Sequence, residues 1–335
     1  MDCVILWVDG NDPAWIQEKN KYAAKDSEEG ADQRSQRFRD WGTLKYLLRG
    51  IEKNAPFFRK IFFVTCGQKP DWLNESHPKL VLVNHKDFIP EKYLPTFNAN
   101  TIELNLHRIR GLSDRFVYFN DDMFLLQKTT PYDFFKKGRP RDTAVMNAFA
   151  AELKKERNLL LVSVVDNAVI NTHFQKKEVL KKYFRKFFTP VYGKDVLRNF
   201  CLLPWKHFTG FVNYHLPYNL RKKYFFEVWE KEPDLLDRTC SHRFRNADDV
   251  NIWLLLYWQI CRGDFSPRNP CIGQSFTLRN QSNENINIYD FIRKRKRKII
   301  VINDEITQID FSEQQEALLK AFDSIFPEKS RFEKY

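Results

Sequence analysis

Two adjacent carboxylates, Asp121 and Asp122, stand between the apolar runs 116–119 and 123–126. A carboxylate drawn out of water needs a cation, a metal ion, hydrogen-bond donors or solvent to compensate it. A second acidic group, Asp9 and Asp12 around Gly10, follows the apolar run 4–8. Each pattern has two readings. As local structure, Asp9 makes an Asx-type turn and the 121–122 pair lies on a solvated reverse turn. As chemistry, both are strand-end carboxylates able to hold a divalent cation against a diphosphate. Cations gather elsewhere. The stretch "SHRFRNADD" (241–249) sets Ser241, His242, Arg243, Arg245, Asp248 and Asp249 ahead of a predicted helix. Arginine forks match phosphate oxygens and a helix N-terminus favours anions. The plain alternative is a solvated cap with surface ion pairs. His215 in "NYHLPYN" is a candidate base or charge donor, or a structural histidine.

Regular elements must bring these groups together. The runs 4–8, 60–65, 79–84 and 116–119 are apolar apart from Lys60, Thr65, Lys79 and Asn84 at their ends, as in strands covered on both faces. A helix over 40–54, with Asp40 as N-cap, places Leu44, Leu47, Leu48 and Ile51 on one face. A second helix over 100–112 closes on Gly111. This alternation predicts an α/β fold with a mostly parallel sheet. Ligands of such sheets bind beyond the carboxyl ends of the strands, so Asp9 and the Asp121–Asp122 pair are expected in one crevice. Downstream, 158–171 has strand character, while 176–188, 219–233 and 248–263 read as helices. Six consecutive basic residues, 293–298, precede a short strand. A last helix over 312–326 has Ser312 as cap and Gln315 at the capping-box position.

Composition narrows the classes. The 335 residues are 43% hydrophobic and include 30 Phe, which excludes a disordered chain. A net charge of +12 points to an anionic partner: a phosphorylated substrate, an acidic membrane surface or nucleic acid. No nucleic-acid-binding module is recognisable, and acids clustered at strand ends speak against that partner. Six cysteines without a CxxC pair suit neither a zinc site nor a disulfide framework, and buried free thiols in a reducing cytosol are the simplest reading. The opening "MDCVILWVDG" lacks the basic start and long apolar run of a signal peptide. No run reaches the roughly 18 apolar residues of a spanning helix. The stretch 250–260 is shorter and holds Gln259, as a buried helix would.

The longer text carries a resemblance. The blocks are "DCVILWVDGNDPAW", "RFRDWGTLKYLLRGIEKNAPFFRKIFFVTCGQKPDWLN", "IPEKYLPTFNANTIELNLHRIRGLSDRFVYFNDDMFL", "NYHLPYNLRKK" and "SHRFRNADDVNIWLLLYW", with a weaker "KIIVIND". In this order they resemble the Stealth family of sugar-phosphate transferases, which includes bacterial capsular and exopolysaccharide phosphotransferases. The chain departs from the family pattern at Thr43, Cys66 and Val301.

The resemblance implies a Rossmann-like, nucleotide-sugar-binding α/β fold with helical additions. It implies one catalytic domain over 1–335: an α/β half (1–150), a more helical substrate-side section (151–240) and a part completing the active site (241–335). It implies transfer of hexose-1-phosphate from a nucleotide sugar such as UDP-GlcNAc to a glycan hydroxyl, with release of UMP. A metal-dependent glycosyltransferase releasing UDP is the alternative. Asp121 and Asp122 would hold Mg²⁺ or Mn²⁺, and Asp9 would bind metal or act as base. His215 would stabilise charge or relay a proton, and Arg245 with Arg243 would clamp phosphate. Asn98, Asn100, Glu103, His107 and Asp249 would line the substrate side. The implied setting is the cytoplasmic face of a plasma membrane, with a lipid-linked acceptor. The 293–298 run and the 176–186 helix would face the lipid headgroups.

Overall fold

A computed structural model describes residues 1–23, 38–150, 157–280 and 283–334. In chain order the first part holds β1 (Asp2–Leu6), α1 (Pro13–Ala23), α2 (Leu44–Asn54), β2 (Ile61–Thr65), β3 (Leu80–Asn84), α3 (Ala99–Asn105), β4 (Arg115–Phe119) and β5 (Met123–Leu125). Then come α4 (Pro131–Phe134), β6 (Phe135–Lys136), β7 (Arg139–Asp142), α5 (Arg157–His173), α6 (Lys176–Phe187) and α7 (Val196–Cys201). The remainder is β8 (Tyr218–Arg221), α8 (Lys222–Lys231), α9 (Pro233–Ser241), α10 (Ile252–Cys261), β9 (Ser266–Pro267), β10 (Gly273–Leu278), α11 (Glu284–Arg293), β11 (Ile299–Asp304) and α12 (Gln308–Asp323).

The fold is α/β. The central sheet has the order β3-β2-β1-β4-β8, parallel except for β8. All four parallel strands lie where apolar runs predict them. The apolar content of β1, β2 and β4 is buried because helices and loops cover both sheet faces. A smaller sheet, β10-β11-β5, shares the connection after β4. The chain leaves β4, turns through Asn120, Asp121 and Asp122, and enters β5, which pairs antiparallel with β11. The predicted pair of strands around the carboxylates therefore exists, but its halves belong to different sheets. One apolar core takes in residues from Cys3 to Phe332.

Helix α10 is buried along its whole length. Its one amide side chain, Gln259, accepts from the Arg221 N–H at 2.9 Å and donates to the Asn219 carbonyl at 3.1 Å. It thereby satisfies the backbone of β8, an edge strand of the sheet.

Several expectations need correction. The segment 158–171 is helical, not extended: α5 buries Val162, Ser163, Asp166, Asn167, Val169 and Ile170, a helical spacing. Much of its inward side is polar, so apolar periodicity concealed the helix. The predicted helix over 219–233 begins as β8, because 218–221 pair with β4, and becomes helical only at Lys222. The last helix starts at Gln308 after Thr307, so Ser312 lies inside it. Thr43, not Asp40, sits at the N-cap of α2. All six cysteines are free, but Cys201 and Cys271 are exposed.

Helix α2 reaches β5 closely enough to need a glycine. A Cβ on Gly50 would lie 2.9 Å from the Leu125 carbonyl oxygen, which also accepts from Asn54 Nδ2 at 2.8 Å. Helix propensity alone favours alanine by about 1 kcal/mol. The backbone clash is expected to outweigh it, and Gly50→Ala to lose about 1–3 kcal/mol net in urea unfolding. A raised unfolding midpoint would contradict this close approach.

Candidate active site at the strand ends

The turn after β4 is fixed by its neighbours. Met123 N–H donates to the Asn120 carbonyl at 3.2 Å, and Ile302 N–H on β11 donates to the Asp122 carbonyl at 3.0 Å. Asp122 keeps partial solvent contact. Its Oδ2 lies 3.4 Å from His215 Nε2, while its enclosed Oδ1 has no hydrogen-bond partner among the described residues.

His215 is held in the left-handed backbone region at φ +46°, and its N–H donates to Asn213 Oδ1 at 2.7 Å. The tautomer follows from bonding. Trp253 Nε1 donates to the Tyr218 hydroxyl at 3.0 Å, so that hydroxyl has its proton to give to His215 Nδ1 at 3.2 Å. The neutral ring then carries its proton on Nε2, facing Asp122.

Further carboxylates join this pair. Asp121 is pushed up to about 8 by burial first, then by the charges of Asp122 and Asp40. Asp40 is itself raised by burial and, in smaller part, by Asp9. Asp9 stands in a loop clasped by Gln68, which accepts from its N–H at 2.9 Å and donates to its carbonyl at 3.0 Å. Its Oδ1 accepts from Asn11 N–H at 2.9 Å, so the Asx turn read from the sequence is present as well. Asp9, Asp40, Asp121 and Asp122 thus form a run of carboxylates, each raising or raised by a neighbour. The enclosed, unpartnered Oδ1 of Asp122, next to the Asp121 carboxylate, is the kind of hard oxygen donor that a divalent cation such as Mg²⁺ or Mn²⁺ takes.

The opposite wall is cationic. Glu103 is buried and raised by that burial, with Arg245, Tyr118 and His215 opposing the shift. Tyr118 on β4 donates to Glu103 at 2.9 Å and also bonds Asn120. Glu103 therefore lies between Arg245 and the acidic turn.

The remaining candidates sit differently. Asp249 is wholly buried and accepts from Asn98 Nδ2 at 2.9 Å, Asn100 Nδ2 at 2.9 Å and Asn246 N–H at 3.0 Å; His242 Nδ1 lies 2.7 Å away. Asn98, Asn100 and Asp249 thus tie α3 to the 242–249 loop inside the protein instead of lining open space. Arg243 donates to the Pro95 carbonyl at 2.9 Å and stacks over Tyr22, so its fork is held by the protein. His107 lies among Phe225, Phe226 and Trp229, away from the acidic turn. One cluster with metal-like spacing, His242, Asp248 and Asp249, occurs among the described residues. The oxygens of Asp249 are already taken by the donors above.

Asp40, Tyr118 and Tyr218 are site residues that the sequence reading missed. Asp40 had a local explanation as a helix cap; in the structure its carboxylate accepts from Gly42 N–H at 2.9 Å.

Three conserved regions match this chain: Stealth protein CR1 over residues 1–27, CR2 over 37–142 and CR3 over 214–260. The capsular polysaccharide phosphotransferase WcwK of Streptococcus pneumoniae is 40% identical, covering 100% of this chain and 98% of that protein. The chain belongs to the Stealth family. This Stealth chain is also 39% identical to the receptor polysaccharide phosphotransferase WefC of Streptococcus oralis, covering 99% of each. It is 38% identical to the exopolysaccharide phosphotransferase cps2G of Lactiplantibacillus plantarum, covering 100% of this chain and 96% of that one. It is a transferase enzyme. A solved galactosyltransferase, LgtC with donor and acceptor sugar analogues, aligns over 97% of the chain and 96% of its own at 11% identity and a TM-score of 0.40. At that distance the likeness settles nothing further. Asp9 falls in the first Stealth region, Asp40, Glu103, Asp121 and Asp122 in the second, and His215 and Arg245 in the third.

The placement of His107 sets an acid response. Burial first, then Arg108, pushes it down to about 3. The unfolded chain, with an ordinary value near 6.5, therefore takes up this proton first as pH falls. The stability contribution is complete above about 6.5 and is lost progressively toward about 3. Relative to His107→Phe, the parent chain is expected to lose stability across that window, by at most about 1.4 kcal/mol per pH unit. Parallel urea-unfolding profiles against pH would contradict this.

Proposed function

We propose that this protein transfers hexose-1-phosphate from a nucleotide sugar of the UDP-GlcNAc type to a glycan hydroxyl, releasing UMP. The product is a phosphodiester-linked capsular polysaccharide or exopolysaccharide. The supporting observation is the meeting of Asp122 and His215, from separate Stealth regions, beside Glu103 and Arg245. Relatives of near-equal length bear the name polysaccharide phosphotransferase.

In this reading the acceptor oxygen attacks the phosphorus nearest the sugar. The bond from that phosphorus to the bridging oxygen breaks, UMP departs, and the sugar keeps its anomeric C–O bond. The protein's part is in-line placement and charge stabilisation. His215 offers its Nε2–H to a phosphoryl oxygen, with Tyr218 fixing the ring from behind. Arg245 clamps phosphate, and Glu103 orients the guanidinium. Asp9 takes the hydroxyl proton. Asn98, Asn100 and Asp249 act through the loop that carries Arg245. Mg²⁺ or Mn²⁺ held by Asp121 and Asp122 would neutralise the diphosphate and favour the departing UMP.

Residues 1–335 would act as one catalytic unit, on a lipid-linked acceptor at the cytoplasmic face of the plasma membrane. Nucleic acid has no part in this reading. No helix among the described residues is long and apolar enough to cross a membrane.

Asp122→Asn, His215→Ala and Arg245→Ala are each expected to lower UMP release by roughly 10²–10⁴-fold, with thermal unfolding unchanged. Near-normal turnover in all three would remove the site. UDP in place of UMP would mean glycosyl transfer. Chelation is expected to stop turnover, and added Mg²⁺ or Mn²⁺ to restore it; full activity in chelator would exclude the metal.

A further inference from the structure

Helix α7 is inside out. Its Asn199 is wholly buried, accepting from Met146 N–H at 2.6 Å and donating to the Ala144 and Phe187 carbonyls at 2.9 and 2.7 Å. Its apolar Leu197 and Phe200 are 61% and 48% exposed. Trp205 follows at 55%. On α5, Asp166 is likewise buried while Leu161 and Val164 are exposed, although Val162, Val169 and Ile170 face inward. A helix packed for water alone does the reverse.

The exposed groups are connected. Phe184 on α6 stacks on Phe188 at 4.4 Å between ring centroids, and Phe188 meets Phe200 at 4.7 Å. Lys176 at the start of α6 donates to the Trp205 carbonyl at 2.8 Å, tying both ends of this region together. Contiguous apolar surface of this kind marks an interaction site.

Charge identifies the occupant. Residues 176–206 contain nine Lys or Arg and two carboxylates. Lys177, Lys181, Lys182 and Arg185 are exposed along α6 beside Phe184. A second copy would oppose one positive face to another. An anionic lipid surface complements the basic residues and admits the aromatic ones. The basic run at 293–298 is less suited. Lys298 is paired with Asp133 at 2.8 Å, and Arg295 and Arg297 donate to the Ile325 and Gly273 carbonyls at 2.9 and 3.1 Å.

We propose that the surface formed by α6, α7 and the turn through Trp205 docks on an anionic bilayer, with Leu197, Phe200 and Trp205 entering the interfacial layer. This deepens the reading of a lipid-linked acceptor and rests on it for purpose, not for its test. The full chain is mixed with phosphatidylglycerol-rich vesicles and, separately, with phosphatidylcholine vesicles. Flotation is expected with the first and at least about tenfold less with the second. Brominated lipid should quench a fluorescence component that Trp205→Phe removes. The double variant Leu197→Ser/Phe200→Ser should reduce flotation by at least about tenfold, with unchanged melting and unchanged turnover on a soluble acceptor. Equal flotation of parent and double variant would overturn the proposal, as would no flotation at low salt. A dimer that the double variant dissolves, without vesicle binding, would assign the face to a second copy instead. Because binding is read without turnover, its failure leaves phosphotransfer standing, and loss of phosphotransfer leaves flotation intact.

Discussion

Like charges held together at the ends of buried strands are the constraint on which this molecule turns. Asp122 and Asp40 both raise Asp121, and Asp9 raises Asp40. Burial and charged neighbours oppose the ionisation of Asp121 and Asp40, and a cation among them would favour it. The backbone around it is correspondingly well fastened: Gln68 grips the Asp9 loop and β11 grips Asp122. A site that stores repulsion needs a frame that does not relax, and α2, pressed against β5, supplies part of it.

The opposite wall depends on a different device. Asp249 is a buried carboxylate satisfied by amide donors, with His242 at hand. A buried charge is costly to install and more costly to strand. What it provides here is shape: the loop between α9 and α10 is locked to the N-terminus of α3, and Arg245 extends from that loop. Apolar packing alone would leave such a loop less uniquely placed.

Much of this was legible in the sequence, unevenly. The strands β1, β2 and β4 were visible because burial on both faces leaves little but apolar residues, and β3, an edge strand with Leu82 exposed, was visible by its apolar run alone. The strand-end positions of Asp9 and Asp121–Asp122 followed from that alternation, and His215 and Arg245 from the text of the family blocks. Helix α5 was illegible because Ser163, Asp166 and Asn167 face inward, against the rule by which periodicity is read. Strand β8 was hidden because its four residues run directly into α8. Asp40 had a sufficient local explanation, and the roles of Asn98, Asn100 and Asp249 depended on contacts far apart in sequence. Those are facts of tertiary structure that no window of residues contains.

The grip of β11 on the acidic turn has a consequence for how the protein is made. The carboxylates leave the ribosome well before β11. The N–H of Ile302 and the pairing of β11 with β5, which set the shape of their turn, follow only after α5 to α11 have been made. Domains that fold during synthesis proceed from the N-terminus, so the parallel sheet can form while this turn still lacks its clasp. A nascent chain then carries the acidic residues without their finished geometry, and the site matures only once β11 has emerged and paired with β5.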